Sequence, residues 1–123
     1  MATRKITLHC DVAIKELLCA AIRQYVDAAY PEGGSECAQV ARYTLLELAA
    51  DIDAGITDNN TSVEISKRPK AMMTAATAYY FNLADEKFGS TSEHQRELFN
   101  VLLRGDVVTH HELEAAIAAD QTG

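Results

Sequence analysis

The chain has 123 residues, with 11 Lys+Arg, 18 Asp+Glu and a formal net charge of −7. Apolar residues at 48% and charged residues at 24% match an ordinary globular chain, which excludes disorder throughout and any collagen-like repeat. The acidic balance excludes nucleic-acid binding through a general basic field, so any such contact needs a small local cluster of cations.

Residues 5–10, Lys5-Ile6-Thr7-Leu8-His9-Cys10, alternate polar and apolar and predict a strand with Lys5, Thr7 and His9 on one face. Asp11 then offers an N-cap carboxylate to a first helix, whose Ile14, Leu17, Leu18, Ala21, Ile22, Tyr25, Val26 and Ala29 repeat at helical spacing, with Lys15 on the polar side. Pro31-Glu32-Gly33-Gly34 stops it. Ser35 predicts the cap of a second helix carrying Cys37, Val40, Ala41, Thr44, Leu45, Leu48 and Ile52, ending at Asp53-Ala54-Gly55. The turn-rich run Thr57 to Ser62 marks a boundary, and Val63-Glu64-Ile65-Ser66 reads as an edge strand or an extended linker. A third helix is expected from Pro69 through Met72, Met73, Ala76, Tyr79, Tyr80 and Leu83 to Lys87, with Gly89 after it. Capping-box patterns at Ser92 to Gln95 and Thr109 to Glu112 open two short helices, with residues 104–108 as a tight hairpin link. The expected class is mainly α: a head at 1–55, a polar linker at 56–66, and a tail of three helices at 67–123.

One strand followed by two helices leaves the strand's backbone donors and acceptors without partners. A two-fold related copy supplies them: two strands pair antiparallel as a ribbon, with Ile6, Leu8 and Cys10 toward a shared core and Lys5, Thr7 and His9 outward. A two-stranded ribbon of that kind fits a DNA major groove. Over Thr3 to Asp53 this order resembles the ribbon-helix-helix DNA-binding family. Within that family it is most similar to small plasmid relaxosome-accessory proteins that join such a head to a helical oligomerising tail. The resemblance rests on the alternating start, the long first helix, and Ser35 opening a helix that contains Leu45-Leu46-Glu47-Leu48. It implies that Lys5, Thr7 and His9 read base edges, flanked by Arg4, and that Ser35 with Glu36 forms a phosphate-contacting turn at a helix N-terminus. Glu32 and Glu36 would repel that phosphate. Duplex DNA is then the partner, and a homodimer or higher oligomer the working form.

The residues also admit plainer readings. Lys5, Thr7 and His9 fit the solvated face of any edge strand. Lys67, Arg68 and Lys70 are the one concentrated positive run, either a phosphate grip or a solvated helix start. Tyr79-Tyr80-Phe81 fits packing better than base stacking. His110, His111 and His94 lack the spacing for one ion, no Cys-x-x-Cys pair is present, and neither metal nor cofactor is expected. Cys10, Cys19 and Cys37 read as reduced thiols buried in a cytoplasmic protein. No apolar run spans a membrane and no secretory leader is expected, because Arg4 and Lys5 run into an alternating segment. Gly33-Gly34-Ser35 lacks the Lys of a phosphate-cradling loop and Asp51 and Asp53 diverge, so no enzyme is expected. The leading expectation is a small dimeric DNA-binding repressor or accessory factor of a mobile element. The competing one is a small acidic protein-binding inhibitor or adaptor, phage- or plasmid-encoded, that blocks a partner protein. The final third supports the latter, with two cations against six anions over residues 90–123.

Overall fold

A computed structural model describes residues 5–122. The elements run β1 (Lys5–Cys10), α1 (Val12–Ala29), α2 (Glu36–Gly55), β2 (Ser62–Ser66), α3 (Lys70–Phe88), α4 (Glu93–Leu103), β3 (Val107–Val108) and α5 (His110–Thr122). The three strands form one sheet in the order β2-β1-β3. β1 pairs antiparallel with β2, Lys5 opposite Ser66 and His9 opposite Ser62, and parallel with β3, where Cys10 meets Val108. No helix among the described residues is long and apolar enough to cross a membrane.

Local chemistry sets most boundaries. Asp11 accepts the Ile14 N–H and opens α1; Ser35 accepts the Ala38 N–H and opens α2. Gly89 closes α3 at φ +62°, a left-handed conformation that glycine adopts without strain. Strand alternation then sorts the sheet. Leu8, Cys10, Ile65 and Val108 are buried in one apolar cluster with Ile14, Leu18, Ile22, Leu45, Ile52, Met73, Phe81, Phe99 and Leu102. The opposite face carries Lys5, Thr7, His9, Ser62, Glu64 and Ser66, all polar, beside the 60%-exposed Val107. Helices therefore cover one side of the sheet and leave the other open to water. Tyr79, Tyr80 and Phe81 pack as rings: Tyr79 against Tyr25 at 5.8 Å, Tyr80 against Phe81 at 5.3 Å, and Phe81 against Phe99 at 5.6 Å.

Three expectations need correction. The mate expected for β1 in a second copy is supplied by its own chain, by β2 from Lys5 to His9 and by β3 at His9 and Cys10, so its backbone no longer calls for a two-fold ribbon. Of the two readings of residues 63–66 the edge strand stands, as β2, and the link at 104–108 carries the two-residue β3. Both strands are short and pair with β1, and β3 has no local pattern of its own. Lys15, placed on the polar side of α1, is 8% exposed and spans to α2, its Nζ 3.1 Å from Asp53 Oδ1 and 3.3 Å from the Asp53 carbonyl oxygen. A cation there also favours the negative end of the α2 dipole. Finally, Val40 and Cys37 are exposed rather than part of the α2 core stripe.

Candidate functional site

The register of β1 and β2 determines which backbone groups remain open. The Cys10 N–H donates to the Thr61 carbonyl at 2.9 Å, so bonded and non-bonded pairs alternate from there. Val63 and Ile65 turn their N–H and C=O groups toward β1, whereas Ser62, Glu64 and Ser66 turn theirs away from it. The Ser62 carbonyl is taken by Asn60 Nδ2 at 3.0 Å, a side chain that also donates to the Gly55 carbonyl at 2.7 Å. β2 is the edge strand, and among the described residues nothing pairs with the outward main chain of Glu64 and Ser66.

Beside this edge runs a groove of about 860 Å³. α2 forms one wall with Cys37, Val40, Ala41, Thr44 and Leu48, and β2 with the start of α3 forms the other, with Ile65, Pro69 and Met72. Apolar side chains on these walls are open to water, Val40 at 63% exposure, and α2 also contributes Glu47 and Asp51. Gly55 lets the helix close onto the strand at the far end, since a Cβ there would overlap the Val63 side chain. α2 and β2 therefore run in opposite directions. The N-terminal end of α2 lies beside Ser66 to Met72, and its C-terminal end beside Val63. Charge follows the same axis. Lys5 and Arg68 line the end near the start of α3, while Glu47, Asp51 and Glu64 line the remainder. Around the corner of α2 stand two further unburied apolar side chains, Tyr43 at 69% and Leu46 at 36% exposure.

The fold also gathers cations that are far apart in sequence. Lys5 opposes Ser66, immediately before Lys67 and Arg68, and a shallow hollow is lined by Lys67, Arg68 and Lys70. Among the described residues, none of these four makes an ion pair, unlike Lys15, Arg42, Arg96 and Arg104. Of the other residues singled out from the sequence, Thr7 and His9 lie half-buried on the open sheet face, flanked by β2 and β3. Three strands are broader than the ribbon they were expected to form. Ser35 caps its own helix, and Arg42 pairs with Glu32 at 3.6 Å. Arg4 lies outside the described residues. Sequence reading missed the groove itself. The available signal was an α2 stripe too wide for one core-facing side, running from Cys37 and Val40 round to Leu45 and Ile52.

The remaining polar chemistry serves the scaffold. Burial alone would raise the Asp11 carboxyl, but the N–H and imidazole of His110 and the N–H of Ile14 outweigh it and hold the group below the ordinary aspartate value. Asp120 behaves the same way: burial works against ionisation, and the His94 and Gln95 donors prevail. The Ser92 hydroxyl, at 2.6 Å, is the largest influence lowering Asp85, with Arg96 adding to it. Burial pushes the Cys10 thiol up to about 12 and raises Cys19, which disfavours the thiolate at both. Among the described residues no group of three or more His, Cys, Asp and Glu side chains is placed to hold a metal ion. No protein-family model, curated protein or solved structure matches the chain.

Proposed function

We propose that this chain acts by binding another protein, as a small acidic inhibitor or adaptor of a phage or plasmid that blocks its partner. The observation that carries this reading is the α2 surface, where Val40 stands exposed in a groove beside an unpaired strand edge, with Tyr43 and Leu46 exposed round the corner of the helix. Exposed apolar groups clustered in this way mark interaction surfaces more often than solvated ones. The net charge of −7 favours a partner with a basic surface and speeds encounter with it. A photo-crosslinking amino acid at position 43, introduced in the host cell, identifies the partner. Calorimetry with the purified partner then tests it, with binding expected to weaken about tenfold or more for Tyr43→Ala if that side chain anchors the contact. Partners that crosslink but show no saturable binding in calorimetry would overturn the reading.

Nucleic-acid binding is the second reading, favoured by one observation: Lys5, Lys67, Arg68 and Lys70 converge at one end of the sheet without ion pairs. Anisotropy with a random duplex at low salt separates the two. Micromolar binding that weakens with salt and with Lys5→Ala and Arg68→Ala supports this second reading; flat titrations leave the protein-binding one.

A further inference from the structure

We infer that the occupant of the α2–β2 groove is an extended peptide segment of the partner, added as a fourth strand on the free edge of β2, with an acidic residue toward the Lys5–Arg68 end. This rests on the protein-binding reading and specifies how the partner is held.

Three features converge on that occupant. Glu64 and Ser66 direct their outward N–H and C=O groups into the region beside the groove, and another backbone in extended conformation satisfies them best. A helix docked in the same groove would leave them unpaired. Successive side chains of an added strand point to opposite faces, so alternate residues of the peptide would meet the apolar wall of Val40, Leu48 and Met72. The charges then fix its placement. Lys5 and Arg68 attract an acidic side chain or a terminal carboxylate at one end, and Glu47 with Asp51 attract a cation further along.

A second copy of this chain fits the edge poorly. Antiparallel pairing of β2 about Glu64 would set Glu64 opposite its twin, and two chains of net charge −7 repel. The edge also carries the usual defences against self-association, with only five residues, a central Glu64, and Pro69 just beyond. It is open to a chosen strand rather than to any strand.

The probe is a displayed library of random nonapeptides selected on the full-length protein, followed by calorimetry with the enriched peptides as synthesised. Enriched sequences should alternate apolar residues and carry an acidic residue at one end. Two variants test the mode. Glu64→Pro removes an outward N–H without touching the ladder to β1, and Val40→Asp places a charge on the exposed groove wall. Each should weaken the peptide by about tenfold or more, and bound peptide should slow amide exchange at Glu64 and Ser66. Should Glu64→Pro prove unfolded, Val40→Asp and the exchange pattern decide alone.

The inference is overturned if no sequence is enriched, if enriched peptides bind unchanged to Val40→Asp, or if they bind as helices. It is also overturned if sedimentation reveals a dimer that Glu64→Pro dissociates. A partner crosslinked at position 43 whose affinity depends on Tyr43, yet is indifferent to Val40→Asp and Glu64→Pro, would sink the strand-addition mode and leave the protein-binding reading intact.

Discussion

The α4–β3–α5 end of the molecule and its α2–β2 side treat their polar groups in opposite ways. At the first, every helix start is tied to a distant carboxylate. Asp120 accepts the N–H groups of His94 and Gln95, at 2.9 and 3.2 Å, and so caps α4 from within α5. Asp11 caps α1 through one oxygen and meets the His110 N–H at the start of α5 through the other, at 2.7 Å. Asp85 holds Ser92 and Arg96. At the second, the outward backbone of Glu64 and Ser66 is unpaired, and Lys5, Lys67, Arg68 and Lys70 make no ion pairs among the described residues. The difference is one of bonding: one side is closed by internal bonds that hold the fold together, and the other keeps an unpaired strand edge.

Acid should disturb that division most. The carboxyls of Asp11, Asp85 and Asp120 are lowered in the folded state, so each adds stability that is fully present above the ordinary aspartate value of 3.8. That stability is withdrawn as pH falls through the lowered values. Thermal unfolding followed from pH 7 to pH 2.5 should show a falling melting temperature below about pH 4, with amide exchange rising first at the starts of α4 and α5. In Asp120→Asn the drop should be smaller, because one of the three groups no longer titrates. A melting temperature independent of pH in wild type would show that these carboxylates do not hold that end.

Asp11→Ala is the largest single substitution expected, because one residue serves two helices. Losing both caps should cost about 2–4 kcal/mol, at about 1–2 for each, read by urea unfolding. By contrast Tyr43→Ser on the exposed face of α2 should stay within about 0.5 kcal/mol. Equal costs at the two sites would erase the contrast between the sides.

Gly55→Ala probes where the two sides meet, with a smaller effect. The added methyl would overlap Val63 and push β2 from α2, at a cost of about 1–3 kcal/mol. The gain in helix propensity, below about 1 kcal/mol at the last residue of α2, offsets part of it. Val63→Ala in the same chain should relieve the overlap, so the double variant is expected to be more stable than the sum of the single changes predicts.

What could be read from the sequence follows the range of each interaction. The alternation of β1, the caps Asp11 and Ser35, and Gly89 after α3 are signals spanning a few residues, and each stands in the structure where the pattern placed it. The partner of β1 was not legible, because β2 starts more than fifty residues later, and its alternation allows an edge strand without saying which strand it meets. β3 has only two residues, too few for any periodicity. The Ser92 capping box shows the same limit: Ser92 stands at the N-cap, but its hydroxyl goes to Asp85, and Asp120, 26 residues beyond His94, provides the cap. For the candidate site, Lys5 and the 67–70 cations were visible as residue types, while their convergence came only from strand register. The groove was hidden because Val40 and Cys37 look like core positions at helical spacing.

The cysteines give the finest test of the contrast, since one lies on the open side and two in the interior. Cys10 and Cys19 are buried, and burial raises both thiols, with the Cys19 Sγ–H also donating to the Ala49 carbonyl at 3.4 Å. Cys37 is exposed and lines the groove. A bulky maleimide at pH 7.5 should therefore modify Cys37 alone in the native protein, with the other two reacting only after urea is added. The adduct should leave the melting temperature almost unchanged, because Cys37 contributes nothing to the packed cluster. It should nevertheless obstruct the groove, so any peptide seated there would lose affinity on labelling while contacts through Tyr43 persist. Modification of Cys10 or Cys19 at a comparable native rate would mean that the closed side opens as readily as the other, and the division between them would not stand.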